Sequence, residues 1–254
     1  MSDPARLRLF QLVSPALPVG AFSYSEGLEV LVQAGQLGSV EALEAWLQAE
    51  LQRGAVAVET AALSRLQEQL NRWRAAAAPA ESEGSSEGSA ESVALAARTQ
   101  LLDLDGWLLA QREAPEVRAQ QRQMGQSLLQ LLADLGYPLP TPPQPRTAAA
   151  AGVLPRLAWP AAFAWAACSL ELVSPAVEEA YLYGWVANQI SAAVRLVPLG
   201  PTQGQRLQLG LAGLIAERAE ALAVADPRSL WNGGVGAGLA QLQHAELYSR
   251  LFRS

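Results

Sequence analysis

The spacing of apolar residues predicts helices along most of the chain. Between residues 40 and 51, and again between 63 and 73, apolar side chains recur every three or four positions, so each set shares one face of a helix. A third stripe of this kind covers residues 117–135, and Gly136 follows it as a helix-ending residue. No segment alternates apolar and polar residues as a half-buried strand would. The pattern therefore predicts an all-α protein.

The same spacing gives approximate bounds for the remaining helices. The first apolar run, residues 7–13, stops at a turn over residues 14–20 that contains two prolines and a glycine. A Gly-rich stretch over residues 231–238 precedes a last amphipathic helix. Further helices are predicted over residues 23–34, 92–112, 160–170, 175–195 and 202–225.

Two segments lack the apolar pattern. Residues 79–92 are acidic and rich in Ser and Gly, so we expect a flexible loop there. Residues 138–146 contain five prolines and should form a stiff connector. Because the helices on both sides of the acidic loop still need partner faces, we expect residues 1–254 to form one domain, a bundle of about eight to ten helices.

Composition supports the all-α fold class and excludes several kinds of catalytic, nucleotide-binding and metal-binding site. Ala and Leu are the commonest residues and Ile occurs only twice, which favours helices over strands. All 18 basic residues are Arg, and the lack of Lys excludes Walker-type nucleotide loops and Schiff-base catalysis. One Cys (Cys168) and one His (His244) cannot build a disulfide or a Cys/His zinc site within one chain. We therefore expect no metal site and no cofactor, except for a site that uses His244 from each chain of a dimer.

The charge of the chain indicates the kind of partner. The formal net charge is −6, and four glutamates of the 79–92 segment account for much of it. The remainder is nearly neutral, which favours protein partners over nucleic acid. No signal-peptide segment and no apolar run of 18 residues is present, so we expect no membrane association. With its single Cys, the chain fits a reducing, cytoplasmic setting.

One pair of acidic residues leaves an enzymatic alternative open. Asp103 and Asp105 lie in a helical segment and could contribute to a magnesium–diphosphate site. Such a site needs several carboxylates that converge on one ion, and no second acidic cluster occurs at helical spacing elsewhere. We interpret both aspartates as solvated acids on a helix face. An all-α magnesium-dependent enzyme that uses Asp103 and Asp105 remains the alternative function.

Two segments are more specific than generic helices. Residues 15–29 combine small, aromatic and hydroxyl residues around a Pro/Gly turn at a helix start, and could be a buried turn that only orients the first helices. Residues 248–254 alternate aromatic, cationic and apolar residues, and could be a frayed helix end. Tyr, Phe and Arg together are typical of interface anchors, so we favour partner binding by the C-terminal region, residues 239–254.

Both segments resemble the terminal motifs of urease accessory proteins of the UreF family. The resemblance continues at Glu116 and Arg118 and at Tyr181 and Tyr183, and it spans nearly the whole chain. The partner-binding residues that we take from the two motifs are Pro15, Pro18, Gly20, Phe22, Ser23, Tyr24, Ser25, Gly27, Glu29, Tyr248, Arg250, Leu251, Phe252, Arg253 and Ser254. The sequence departs from the family pattern at Gln121, Pro201, Gln203 and Ala245.

The resemblance implies an all-α protein that is not an enzyme. Such a protein binds the UreD- or UreH-type accessory protein and the nickel-carrying GTPase UreG, and it helps to load nickel into apo-urease. The resemblance also implies a homodimer, with Tyr181 and Tyr183 as candidate self-association residues. Because residues 248–254 are apolar and cationic and follow a Gly-rich stretch, we expect this tail to be mobile in the isolated chain and ordered on the UreD/UreH-type partner.

Overall fold

The computed structural model describes residues 3–78, 87–140 and 155–254. The described residues form helices and no strand, which confirms the all-α prediction. Short 3-10 turns cover Ala21–Ser23, Pro227–Ser229 and His244–Glu246. The α-helices are α1 (Asp3–Leu12), α2 (Leu28–Gln33), α3 (Val40–Arg53), α4 (Ala55–Ala77), α5 (Glu87–Ala110), α6 (Pro115–Asp134), α7 (Trp159–Ser169), α8 (Ala176–Leu196), α9 (Pro201–Gly210), α10 (Ala212–Ala223) and α11 (Val235–Gln243).

Helix α4 lies at the centre of the bundle. All of its residues from Ala55 to Leu63 are buried, and beyond Leu63 the buried side chains follow one stripe that ends at Trp73. A helix that is buried on every face needs neighbours on every face. Helices α3, α5, α7, α8 and α10 pack against α4 and provide them. The apolar stripe predicted over residues 63–73 therefore lies in the second half of α4, where only one face of the helix is buried.

Helix α7 is the second buried helix. It is rich in Ala, all of its residues from Pro160 to Ser169 are buried, and it packs against both α4 and α6. On α6, Gly125 leaves room for the main chain of Leu157 and Ala158, which immediately precede α7. A Cβ atom at residue 125 would collide with the carbonyl oxygen of Leu157. This close approach fixes the position at which α7 enters the core.

Two predicted helix starts differ from the observed ones. Helix α2 begins at Leu28, later than predicted, because Glu26 and Gly27 adopt left-handed backbone conformations with φ of 51° and 88°. Helix α11 begins at Val235, so the Gly-rich stretch is partly helical rather than irregular throughout. The inner face of α11 packs against α2, and the space above Gly27 is filled by the main chain of Gln241. Packing has therefore overridden the low helix propensity of the glycines.

The predicted helix over residues 202–225 is divided in two. Leu211 separates α9 from α10. Both parts pack against α3 and α8, and of the two only α10 packs closely against α4.

The two segments without an apolar pattern are only partly covered by the structure. Residues 87–92 belong to α5, so the predicted flexible loop extends too far on that side. Residues 79–86 lie outside the described residues, as do residues 141–146 of the Pro-rich connector. In the described ranges, buried apolar side chains from α1 to the tail join one core cluster.

Within residues 3–78, 87–140 and 155–254, no helix is both long enough and apolar enough to cross a membrane.

Candidate partner-binding site

The turn between α1 and α2 forms the first half of the site. Gly20 adopts a left-handed φ of 74° and is followed by the 3-10 turn Ala21–Ser23. Glu26 and Gly27 are left-handed as well. This path points the successive main-chain N–H groups of Ser25 and Glu26 at one acceptor. Consecutive N–H groups in such a turn form a concave site for an oxygen atom.

The tail, residues 248–254, supplies that oxygen atom. The main-chain oxygen of Ser254 accepts hydrogen bonds from the N–H of Ser25 at 2.7 Å and from the N–H of Glu26 at 3.1 Å. It also accepts one from the hydroxyl of Ser25 at 2.7 Å. The two segments that the sequence singled out separately are therefore parts of one site.

The carboxylate of Glu29 holds the next part of the tail. Its Oε1 accepts a hydrogen bond from the N–H of Leu251 at 2.7 Å, and its Oε2 accepts one from the N–H of Phe252 at 3.1 Å. The N–H of Arg253 donates to the carbonyl oxygen of Ser23 at 2.9 Å. Glu29 is buried, so these bonds satisfy a charge that would otherwise be costly inside the protein.

Phe252 anchors the tail through its side chain. The ring is only 4% exposed, and the Cζ atom of Arg195 lies 4.2 Å from the ring centroid. Arg195 also donates a hydrogen bond from Nη2 to the carbonyl oxygen of Phe22 at 2.7 Å. Burial of a Phe side chain contributes about 1.5–3 kcal/mol, and the cation above its face adds to this.

Four ionisable side chains meet where the tail contacts the helices, and we call them the tail cluster: His244, Glu29, Glu116 and Arg250. His244 is fully buried, with Nδ1 2.8 Å from Oε2 of Glu116 and Nε2 3.3 Å from Oε2 of Glu29. Arg250 donates from Nη1 to Oε1 of Glu116 at 2.8 Å. The cluster joins α2, α6, the 3-10 turn after α11 and the tail.

A second charged group lies deeper, and we call it the core cluster: Glu26, Glu59, Arg112, Tyr181 and Trp185. Arg112 donates from Nε to Oε1 of Glu59 at 2.7 Å and lies 3.7 Å from Oε2 of Glu26. The Tyr181 hydroxyl donates to Oε2 of Glu59 at 2.8 Å, and Nε1 of Trp185 donates to Oε2 of Glu26 at 3.2 Å. Burial raises the pKa of the Glu59 carboxyl, and the charge of Arg112 offsets part of that rise.

Gln120 connects the tail to the core cluster. Its Nε2 donates to Oε1 of Glu26 at 2.8 Å, and its Oε1 accepts a hydrogen bond from the hydroxyl of Ser254. All three side chains are buried. A displacement of the tail would therefore remove one partner of a side chain that also supports the core cluster.

The expectation that the tail is mobile in the isolated chain is corrected by this geometry. The tail is held by its own chain, through Ser25, Glu29 and Glu116, with Ser254 only 2% exposed. Composition indicated an apolar and cationic chain segment, and partner binding by it stays a prediction. The partner of its inner side is intramolecular, and the contacting residues lie more than a hundred positions away in the sequence.

The candidate partner-binding residues divide into two sets. The buried ones are not available to another chain in this arrangement: Tyr24, Ser25, Gly27, Glu29, Phe252 and Ser254. The exposed ones are Pro15, Pro18, Phe22, Tyr248, Arg250, Leu251 and Arg253, with Gly20 and Ser23 intermediate.

The tail and helix α11 both expose large apolar side chains. Leu251 is 58% exposed and the side chain of Tyr248 lies fully in solvent. Helix α11 exposes Val235, Leu239 and Leu242, which share one face because they are spaced by four and three residues. We call these five exposed side chains the terminal surface. Large apolar side chains with arginines beside them are typical of the centre of a protein interface.

The two tyrosines assigned to self-association lie in different environments. Tyr181 is buried in the core cluster, so its assignment to a dimer contact is corrected: its ring packs edge-on against Phe163 and its hydroxyl is bonded to Glu59. Tyr183, two residues further along α8, points to the other side and is 43% exposed. Only Tyr183 offers a surface to a second chain.

The structure separates the two aspartates of the enzymatic alternative. Asp105 is buried, and its Oδ1 accepts a hydrogen bond from the N–H of Ala158 at 3.0 Å. Burial raises the pKa of the Asp105 carboxyl to about 6. Asp103 is exposed and pairs with Arg228. Both carboxylates are thus occupied by different partners and do not converge, and the interpretation of Asp105 as a solvated acid is also corrected.

Among the residues that the structure describes, no group of three or more His, Cys, Asp or Glu side chains is arranged to hold a metal ion. His244 is enclosed between Glu29 and Glu116 and is fully buried. It therefore cannot reach a second copy of itself across a dimer axis, and that exception is corrected as well.

The departures from the family pattern have local roles. Pro201 is the first residue of α9, and Gln203 Oε1 accepts a hydrogen bond from the N–H of Gly200 at 2.9 Å, so the pair starts this helix. Gln121 is buried with its Oε1 unpaired among the described atoms. Ala245 is exposed in the 3-10 turn after α11.

Some residues of the site were not found by sequence reasoning. Sequence reasoning identified Glu116 only as part of a matching helix, and it assigned no role to Gln120 or Arg195. The signal that existed was chemical: His244 is the only imidazole of the chain, and a buried imidazole needs hydrogen-bond partners. Which acids supply them depends on the packing of α2 and α6, and local spacing does not show it.

Comparison with known proteins agrees with the resemblance noted from the sequence. The model of the UreF family matches residues 37–212. A urease accessory protein UreF of Alkalilimnicola ehrlichii is 38% identical over 250 residues, which cover 98% of this chain and 96% of the relative. The UreF protein of Microcystis aeruginosa is 37% identical, with 98% and 97% covered, and that of Synechocystis is 35% identical over the full length of both. The chain therefore belongs to the UreF family of urease accessory proteins.

Proposed function

We propose that this chain is a non-enzymatic scaffold of urease maturation in the cytoplasm. It bridges the UreD/UreH-type accessory protein and the GTPase UreG during GTP-dependent insertion of nickel into apo-urease. Nickel is the cargo of that assembly and not a cofactor of this chain. The family supports the role in urease maturation, because full-length relatives are named urease accessory proteins. The finer assignments rest on the surfaces described above.

The observation that carries the proposal is the terminal surface. Its five side chains are large, apolar and exposed, and Arg250 and Arg253 lie among them in the tail. The inner side of the tail is fixed by hydrogen bonds to the turn between α1 and α2. A rigid backbone that presents exposed apolar anchors loses less conformational entropy on binding than a free segment does. We assign this surface to the UreD/UreH-type partner.

A different surface supports self-association. Helices α1 and α8 pack against each other, and they expose Leu7 and Phe10 on α1 and Tyr183 on α8. These aromatic and aliphatic side chains are exposed on adjacent helices, as expected for a homodimer contact. The proposal therefore places the dimer at α1 and α8 and the UreD/UreH-type partner at the terminal surface.

Co-purification with the UreD/UreH-type protein of the same organism tests the proposal. We expect Leu251→Asp to abolish capture and urease activation, because a charge replaces an exposed apolar anchor without touching the core. Leu209→Asp is the matched control, since Leu209 is also an exposed apolar residue but lies on α9. It should retain both capture and activation. Full capture by Leu251→Asp, or equal loss in the two variants, would contradict the assignment.

A further inference from the structure

We propose that the docking of the tail is controlled by one proton on His244, so that the tail is a pH-sensitive latch. The latch is closed while His244 is doubly protonated, and it opens when the imidazole loses a proton. The biological meaning of this inference rests on the proposed role of the tail in partner binding. Its test does not, because the latch can be measured on the isolated chain.

The hydrogen bonds of the imidazole lead to this inference. Nδ1 lies 2.8 Å from a carboxylate oxygen of Glu116, and Nε2 lies 3.3 Å from a carboxylate oxygen of Glu29. A carboxylate only accepts hydrogen bonds, whereas a neutral imidazole has one N–H donor and one lone pair. The neutral ring would therefore direct its lone pair at one of the two carboxylates. Only the doubly protonated ring donates to both.

The charges around the ring agree with this assignment. Glu29 faces it from α2 and Glu116 from α6, and Arg250 from the tail is paired with the other oxygen of Glu116. With a protonated imidazole, two acids and two bases balance. With a neutral imidazole, two carboxylates share one guanidinium next to a fully buried ring. The amide of Gln33 on α2 donates to Oε1 of Glu29 at 3.5 Å, whereas Gln241 of α11 and Gln120 of α6 donate to Glu26, and all three side chains are neutral.

Both carboxylates also hold the tail directly, and this couples the proton to docking. Glu29 accepts the N–H groups of Leu251 and Phe252, and Glu116 accepts the side chain of Arg250. The lone pair of a neutral imidazole would face the carboxylate of Glu29 or Glu116 and repel it. Each of these carboxylates holds this part of the tail. Imidazole is the side chain that ordinarily titrates between pH 5 and 8. Loss of the imidazole proton should therefore loosen the docked tail, so that docking weakens as the pH rises.

A spin label in the tail measures the latch. The label is attached to Ser249→Cys, an exposed position, in a Cys168→Ala background, and electron paramagnetic resonance gives the ratio of mobile to immobile label between pH 6 and 8.5. Because one proton is linked to docking, we expect this ratio to rise with pH, by at most about tenfold per pH unit. The chain contains no other His, so no second imidazole contributes. A ratio that does not change over this range would overturn the proposal.

Two variants distinguish a proton switch from a general loosening of the protein. In Glu116→Gln, the amide donates to Nδ1 of a neutral ring while its oxygen still accepts from Arg250, so the tail should remain docked at pH 8.5. In His244→Gln, a single amide cannot donate in both directions, and the label should be mobile at every pH. Circular dichroism confirms that each variant is folded. If His244→Gln does not fold, the comparison of Glu116→Gln with the unmodified chain at pH 8.5 still tests the proposal. The tail should be docked in the variant and more mobile in the unmodified chain.

One other group is a competing source of pH dependence. Burial raises the pKa of the Glu50 carboxyl to about 7, and Glu50 lies outside the tail cluster. Glu50→Gln should leave the pH profile of the label unchanged. A profile that disappears in Glu50→Gln, or one that persists unchanged in Glu116→Gln, would show that His244 is not the switch. If the latch behaves as proposed but Leu251→Asp still captures the UreD/UreH-type protein, the proposed partner surface fails and the latch stands.

Discussion

Two charged clusters hold distant parts of this chain together, and they differ in charge balance and in depth. In the tail cluster, Glu29 and Glu116 face two bases, and Glu116 and Arg250 are partly exposed. In the core cluster, Glu26 and Glu59 share a single base, Arg112, and every member except the half-buried Trp185 is buried. We therefore expect the loss of a contact to cost less stability in the first cluster than in the second.

The difference shows how one chain can combine a rigid body with a releasable segment. Desolvation makes a buried ion costly unless its partners stay in place, so the core cluster is supported by the Tyr181 hydroxyl and the Trp185 indole. The tail cluster instead depends on the His244 imidazole and on Arg250, which is partly exposed to solvent. Gln120 lies between the two and contacts both.

Removal of Arg112 should have the largest effect. Arg112→Met leaves Glu26 and Glu59 buried without their base, and we expect a loss of about 3–5 kcal/mol in the free energy of unfolding. Urea denaturation monitored by circular dichroism measures this loss. Arg65→Met is the control, because the pair of Arg65 with Asp226 is half-exposed and should be worth about 0–1 kcal/mol. A similar loss in both variants would mean that the depth of the cluster does not matter.

Glu50 makes the stability of the core pH-dependent. Burial raises the pKa of its carboxyl from the ordinary 4.5 to about 7, with Arg112 opposing the rise. The folded state therefore disfavours the charged form of Glu50. The contribution of the protonated Glu50 side chain to stability is complete below pH 4.5 and is lost as the pH rises through about 7. We expect Glu50→Gln to be more stable than the unmodified chain by about 3 kcal/mol at pH 8 and by little at pH 4.

The control for Glu50 lies at the start of the same helix. The pKa of the exposed Glu41 is lowered by its own backbone N–H and by the Ser39 hydroxyl. Its contribution has the opposite sign, present above the ordinary pKa of 4.5 and lost as the pH falls. Denaturation curves of Glu41→Gln should therefore show no gain at pH 8. A gain equal to that of Glu50→Gln would point to net charge and not to burial.

Substitution of Gln120 tests the connection between the clusters. Gln120→Leu removes one donor from Glu26 and the acceptor of the Ser254 hydroxyl, so we expect a loss of about 1–3 kcal/mol together with greater tail mobility. Gln121→Leu is the matched control, because the buried Oε1 of Gln121 is already unpaired among the described atoms. It should cost little and leave the tail docked. Hydrogen exchange of the tail amides would report the mobility of the tail. An unaffected tail in Gln120→Leu would show that Gln120 does not couple the two clusters.

The smallest effect should come from Asp103. Its pair with Arg228 is exposed, so Asp103→Asn should change the free energy of unfolding by about 0–1 kcal/mol. Urease activation in a co-expression assay should not change, because the residue lies outside both clusters and the terminal surface. A loss of activation with the fold intact would revive the magnesium-enzyme alternative.

Helix positions could be predicted from the sequence because their cause is local. The stripes at residues 40–51 and 63–73 lie in α3 and α4, and the helix predicted over residues 175–195 corresponds to α8 with a shift of one residue at each end. The break at Leu211 could not be predicted, since it depends on which neighbours the two halves meet. The same holds for the early start of α11, where contact with α2 outweighs the glycines.

The site was predicted in its parts but not in its assembly. Residues 15–29 and 248–254 were correctly selected as unusual, yet nothing in either segment states that Ser254 bonds to Ser25 across more than two hundred residues. Tyr181 and Tyr183 illustrate a second limit. They match the same motif, but alternate directions on α8 place one in the core cluster and the other at the surface. Motif matching gives the residues, and only packing gives their exposure.

The buried position of Ser254 has a practical consequence for the design of expression plasmids. Its main-chain oxygen and its hydroxyl are both occupied inside the protein. A purification tag or fluorescent fusion attached after Ser254 would have to emerge from this enclosed position, and it would pull the tail away from Gln120 and Ser25. Pull-down experiments with such fusions would then report the undocked form. Affinity handles therefore belong at the other end of the chain, where Pro4 is exposed.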